Sequence, residues 1–290
     1  MMSLFPSGQW RQHVALDIGT ATTRIAAGMS PSIEKPSRIG TKKALLHGVV
    51  VDGETTSEIL RPLLDRTRIF GIVKPCVLAC APSDAGKEER QLLVDSIMRA
   101  GAAATSVIPE PLAAAIGSGI DVSSRYAQMV VDIGEGVTDC AVIRSSKITA
   151  ACAIRVGCDR MRRAVVTAAQ ESRCADVSEL QADTLLRTCG LTRSVEHAGS
   201  VMTAVALQPV LEEIAGTIDA FLRDMPHEVG CEIIESGICL TGGGALIPGV
   251  RDYMEQRTGI GITIARNPRA SVVEGARAIV PVILLLNQWR

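Results

Sequence analysis

Leu16-Asp17-Ile18-Gly19-Thr20-Ala21-Thr22-Thr23 and Val131-Asp132-Ile133-Gly134-Glu135-Gly136-Val137-Thr138-Asp139 are two versions of one local pattern. Each is an apolar strand that ends in Asp, turns at a Gly two residues later, and resumes as a second strand. Repetition of such a unit predicts two similar domains that face one ligand. Glycines in the turns let backbone N–H groups approach phosphate oxygens with no Cβ in the way, and the paired carboxylates of Asp17 and Asp132 suit a hydrated Mg²⁺. The predicted phosphate contacts are Gly19, Thr20, Ala21 and Thr22 in the first turn, and Gly134, Glu135, Gly136 and Thr138 in the second. A third glycine turn, Leu240-Thr241-Gly242-Gly243-Gly244-Ala245, offers backbone flat enough to lie against a nucleoside, and Pro248 is placed to open the next helix.

Bulk properties narrow the class. The 290 residues are enough for two domains, and 47% apolar composition supplies their cores. A net charge of −1 and 2% aromatic residues leave neither a basic footprint nor stacking platforms, so nucleic acid is excluded as a partner. The longest apolar run, Ala278 to Leu286, is interrupted by Pro281 and falls short of the roughly 20 residues that span a bilayer. Residues 1–11 lack the basic start and apolar stretch of a secretory signal. Nine cysteines, most within apolar segments (Cys76, Cys80, Cys140, Cys152, Cys239) and none in C-x-x-C spacing, read as small buried hydrophobes of a reducing cytoplasm.

Periodicity predicts strands at 13–18 and 23–28, an irregular stretch at 31–47, and a helix near 54–66. A strand at 77–81 follows, then a helix from 84 to 100 closed by Gly101, and a strand at 104–108. Glu110 opens a further helix. The second half repeats the plan, with strands at 127–132, 138–144 and 147–155, helices at 159–172, 177–189 and 200–224, and a terminal helix from about Ala270. Strands in threes followed by helices indicate α/β halves with mixed sheets.

The motifs resemble the actin-like ATPase superfamily, and within it the bacterial actin-like proteins of the MreB and Mbl type. The likeness rests on the two Asp-containing turns, Ile108-Pro109-Glu110-Pro111-Leu112-Ala113-Ala114-Ala115-Ile116-Gly117 at the interdomain helix, Val156-Gly157-Cys158-Asp159-Arg160 after the third strand, and the Gly242-Gly243-Gly244 turn. It implies duplicated actin-like (ribonuclease H-like) domains with a nucleotide cleft between them. They divide at 1–120 and 121–270, with the helix at 271–290 packing back on the first. It also implies Mg²⁺ and ATP, with Gly157 and the third glycine turn among the contacts. Self-assembly or joining a full-length MreB filament, and wall-synthesis membrane proteins as partners, come with it. So does a place in the cytoplasm, at the inner face of the cell membrane.

Within Arg66-Thr67-Arg68-Ile69-Phe70-Gly71-Ile72-Val73-Lys74-Pro75, Ile69 and Phe70 occupy the family's membrane-facing loop, where apolar tips flanked by basic residues suit an anionic bilayer. Folding back onto the core is the other reading of these two side chains. Leu4, Phe5 and Trp10 are a second candidate insertion point. Val280 to Arg290 reads either as a membrane or partner contact or as a helix packed on the first domain.

Departures from the family pattern are specific. Both outer subdomains are shortened, to about 31–47 and 173–199. Glu110 retains the role of positioning the water that attacks the γ-phosphate, but the family's Thr after the second turn is Val137. Thr138 is the neighbouring hydroxyl, although strand alternation points it to the other face. Glu135 puts a carboxylate beside the phosphates and should weaken anion binding unless it turns to solvent or binds Mg²⁺. Leu186 and Thr188 stand for the family's nucleoside-facing Lys and Glu, and Arg162 and Arg163 replace acidic residues on what reads as a solvated helix face. Together these predict a nucleotide binder with slow or absent turnover, in a shape or wall-synthesis scaffold. The alternative is a compact chaperone-like adaptor resembling the EutJ proteins.

Overall fold

The computed structural model describes residues 11–172, 177–192 and 199–285. The chain forms two compact units, one of residues up to Gly117 and from Val272 onward, the other of Ser118–Ser271.

In the first unit, β1 (His13–Ile18), β2 (Thr22–Ala27) and β3 (Ile33–Pro36) form an antiparallel meander. Residues 31–47, read as irregular, also hold one miniature hairpin, β4 (Arg38–Ile39) with β5 (Lys42–Lys43), and the first strand of a second, β6 (Leu45–Leu46) with β7 (Val49–Val50) just beyond the stretch. Helix α1 (Gly53–Asp65) is capped by Asp52, whose carboxylate accepts from the amides of Glu54 and Thr55, both at 3.0 Å. Then come β8 (Cys76–Ala81), α2 (Lys87–Ala100), β9 (Ala104–Pro109) and α3 (Glu110–Gly117). Strands β8 and β9 add to β1 in parallel, giving the order β3-β2-β1-β8-β9. All six residues of β8 are buried, as expected of a central parallel strand covered on both faces. Leu16, Ile25, Leu60, Leu64, Val77 and Ile97 centre this core.

The second unit repeats the design with β10 (Gln128–Ile133), β11 (Thr138–Arg144) and β12 (Lys147–Ile154) as the meander. Helices α4 (Cys158–Glu171), α5 (Glu179–Thr188), α6 (Ser200–Arg223) and α7 (His227–Ser236) follow, then β13 (Ile238–Thr241), α8 (Val250–Thr258) and β14 (Ile262–Ile264). The sheet order β12-β11-β10-β13-β14 matches the first sheet strand for strand. Helix α8 begins after Gly249, two residues later than Pro248 suggested. Helix α6 has 24 residues, and one 18-residue stretch of it has a mean hydropathy of 1.3, long and apolar enough to cross a bilayer although no uninterrupted apolar run marks it. Its Leu207, Leu211, Ile214 and Ile218 instead fill the core of this unit, against Val131, Met161 and Leu240.

Helix α9 (Ser271–Leu285) returns the chain to the first unit. There Arg277 Nη1 donates to the Ser30 carbonyl at 3.0 Å, and Val273, Ala276 and Ile283 are buried while Val282 is exposed. Leu4, Phe5, Trp10 and residues 286–290 lie outside the described residues, as do 173–176 and 193–198 of the second shortened subdomain.

Candidate functional site

The two Asp-containing turns have the same internal geometry. Gly19 N–H donates to the Thr22 carbonyl at 3.0 Å, and Gly134 N–H donates to the Val137 carbonyl at 2.9 Å. Residues 18–22 and 133–138 thereby make equivalent links, β1 to β2 and β10 to β11. Thr23 and Thr138, six residues after each Asp, are fully buried, and both spend their hydroxyls locally. Thr23 Oγ1 bonds to Ser37 Oγ at 2.9 Å, and Thr138 Oγ1 donates to the Val156 carbonyl at 2.8 Å. Thr138, one of the predicted contacts, thus spends its hydroxyl proton within the sheet.

What braces each turn differs. Ser37 Oγ donates to the Gly19 carbonyl at 2.7 Å, and Thr20 Oγ1 accepts from Gly48 N–H at 2.8 Å. The short segment after β2 is thus a strap over the first turn. Ala21 is exposed at the tip. In the second turn the carbonyls of Gly134 and Glu135 accept from the amides of Cys158 and Asp159, at 3.0 and 2.9 Å, in the first turn of α4. A Cβ at Gly157 would sit 2.7 Å from the Glu135 carbonyl oxygen, so the absence of a side chain there permits this contact. Its φ of −161° is open to any residue, so close approach and not conformation requires glycine.

The carboxylates that begin the turns are also in different company. Asp17 faces Arg24 in register across β2, with Nη1 at 3.6 Å, and Arg24 Nε also donates to Glu34 at 3.1 Å. Burial raises the Asp17 pKa to about 6 in spite of Arg24. Asp132 has Asp139 as its register partner, and both are buried. Among the described residues no group of three or more His, Cys, Asp or Glu could hold a metal ion.

At the third glycine turn, Gly242 has φ +83°, a left-handed conformation that L side chains rarely adopt, and its N–H donates to the Pro268 carbonyl at 3.0 Å. Gly244 packs on Ile133. Gly243 has open space where a Cβ would be, which makes it the glycine of the three with room for a ligand. Glu110, 8% exposed, opens α3 in the first unit, and Val137 is 7% exposed. Leu186 belongs to the core of the second unit and Thr188 donates to the Thr184 carbonyl, so Leu186 is a packing residue in place of a nucleoside contact.

Glu135 and Arg162, noted separately in the sequence, form one ion pair. Arg162 reaches Asp159 at 3.2 Å and Asp183 of α5 at 3.5 Å as well, and its side chain is 15% exposed. The solvated-face reading is corrected for Arg162. It holds for Arg163, 58% exposed and paired with Asp159 at 2.8 Å. Burial opposes the Arg162 charge, but the bonds to Glu135 and Asp159 outweigh it and raise the pKa above the ordinary arginine value. The available signal was a pair of opposite charges in two places, one inside a glycine turn.

In the predicted membrane loop, Ile69 N–H donates to the Val73 carbonyl at 3.3 Å and Val73 N–H returns the bond at 3.0 Å, closing a tight turn. Phe70 is 92% exposed and Ile72 78%, while Ile69 is half-buried at the base. The apolar tip is therefore Phe70 with Ile72, not Ile69 with Phe70.

The family model for MreB/Mbl protein matches residues 26–192 and 187–286. The cell shape-determining protein MreB of Escherichia coli K12 is 29% identical over 262 residues, covering 83% of this chain and 76% of that protein. Among solved structures, MreB5 of Spiroplasma citri bound to AMPPNP superposes with a TM-score of 0.88 at 22% identity, covering 97% of this chain and 99% of that one. The ethanolamine utilization protein EutJ of Carboxydothermus hydrogenoformans gives 0.68 at 20% identity, with 95% and 91% covered.

Proposed function

The chain belongs to the MreB/Mbl family of bacterial actin homologues, and on that footing we propose that it is an ATP-binding scaffold of the cytoskeleton with little or no hydrolysis. It works at the inner face of the cell membrane in cell shape and in cell-wall or spore-wall synthesis, with copies of itself, a full-length MreB filament, or wall-synthesis membrane proteins as partners. The observation that carries nucleotide binding is the repeated hydrogen bond, Gly19 to Thr22 and Gly134 to Val137, directly after an Asp in each half. On this reading each duplicated turn is a phosphate contact, Asp17 and Asp132 orient waters of a nucleotide-borne Mg²⁺, and Gly243, with open space where a Cβ would be, lies nearest the nucleoside.

Weak turnover is argued from hydroxyls. Glu110 is present to orient a water, but Val137 brings none and Thr138 is bonded to Val156. Loss of one positioning hydrogen bond in a dry site costs about 2.7–4 kcal/mol, a hundred- to thousandfold in rate. Membrane association is argued from the exposed Phe70 and Ile72 beside the exposed Arg66 and Lys74.

Co-sedimentation with anionic vesicles, with and without Mg-ATP, tests this reading. Pelleting is expected with Mg-ATP, reduced by Asp132→Ala and abolished by Phe70→Ser with Ile72→Ser. A chain that binds nucleotide but stays in the supernatant under every condition favours the EutJ-like adaptor.

A further inference from the structure

Glu135 sets a physical problem that the second turn must solve if it is to receive phosphate. A carboxylate between Gly134 and Gly136 repels a polyphosphate, and its side chain, 22% exposed, is too enclosed for water to screen it fully. The surrounding charges are Asp159, Arg162 and Arg163 on α4, and Asp183 and Arg187 on α5. Three carboxylates, counting Glu135, meet three guanidinium groups, and Arg162 alone among the three cations touches Glu135. Arg163 turns to solvent, and Arg187 bonds to Asp183 at 2.7 Å.

We propose that Arg162 is a positioning residue for nucleotide binding: it cancels the Glu135 charge, holds that side chain against α4, and so keeps the second turn receptive to phosphate. The inference rests on the nucleotide-binding reading and deepens it. It also explains why an unfavourable residue is tolerated in the turn, because the compensating charge is supplied from α4, which already donates the Cys158 and Asp159 amides to the same loop. Through Asp183 the same guanidinium joins the turn to α5, so loss of Arg162 frees both ends.

The test is a double-mutant cycle on the full chain, titrated with AMP, ADP and ATP at fixed Mg²⁺. Arg162→Ala should weaken ATP by about tenfold, ADP less and AMP little, because the uncovered Glu135 repels in proportion to phosphate charge. Adding Glu135→Ala should return ATP affinity to near the parent value, and the single-variant deficit should shrink at high salt. An equal loss for all three nucleotides, or no rescue by Glu135→Ala, would overturn the proposal and leave Arg162 a packing residue. If the parent chain binds none of the nucleotides, the nucleotide-binding reading itself fails; if it binds and the cycle shows no coupling, only this inference fails. Thermal melts accompany each variant, and where Arg162→Ala does not fold, Arg162→Gln keeps the volume and carries the same expectations.

Discussion

The two Asp-containing turns are alike in path and different in what holds them. Both fold on a glycine amide bonded to the carbonyl three residues ahead. The first is strapped by side-chain hydroxyls, Ser37 on the Gly19 carbonyl and Thr20 under the Gly48 amide. Main-chain amides of α4 strap the second. Opposite charge neutralises Asp17 through Arg24 across the strand, whereas Asp132 faces Asp139 and its turn takes a cation from farther away, Arg162 on Glu135. A duplicated backbone thus persists while the groups that stabilise it are exchanged. Side-chain braces can be removed one at a time; a main-chain brace fails only where the backbones are forced apart.

The largest expected effect follows from that distinction. Gly157→Val inserts a side chain between α4 and the Gly134 and Glu135 carbonyls, and overpacking against backbone that cannot yield should cost about 4 kcal/mol. Urea unfolding of the full chain measures it. A loss below about 1 kcal/mol would mean that the second turn is not held by this contact.

A smaller effect separates the carboxylates. The folded Asp17 pKa, about 6, lies above the ordinary 3.8, so its stabilising contribution is complete below about pH 4 and is lost as pH rises through 6. The difference amounts to about 3 kcal/mol. Asp17→Asn should therefore gain on the parent chain between pH 4 and pH 7, and unfolding free energies at several pH values show the slope. A parallel pair of curves would assign the Arg24 pairing more weight than the burial.

Much of this was legible in sequence because the repeated Asp-turn unit marks strand ends, and because the central strands are continuous apolar runs that end at those turns. The miniature hairpins of residues 38–50 were not, since two-residue strands have no period to read. The bracing that they and the preceding Ser37 give, Ser37 on Gly19 and Gly48 on Thr20, is a tertiary property. Phe70 adopts φ +53°, which turns the loop so that Ile72 joins it at the tip in place of Ile69; strand alternation does not foresee such a reversal. Arg162 was legible as an anomaly and illegible as a partner, because the pairing joins a turn to a helix across a third strand.

Ser37 offers the finest test of the contrast between the turns. It is buried, and its hydroxyl meets both the Gly19 carbonyl and Thr23 Oγ1. Ser37→Ala leaves a carbonyl and a hydroxyl short of a partner in a place that water enters poorly, which costs about 2 kcal/mol. The cost should fall with Thr23→Val in the same chain, because one of the two stranded groups is then gone, so the pair should be less than additive. The second turn is braced differently: Thr138→Val frees the Val156 carbonyl and leaves the Cys158 and Asp159 amides on the turn. Its expected cost is about 1 kcal/mol. Should Thr138→Val prove as costly as Ser37→Ala, the two turns would share one kind of brace after all, with Thr138 holding the second as Ser37 holds the first.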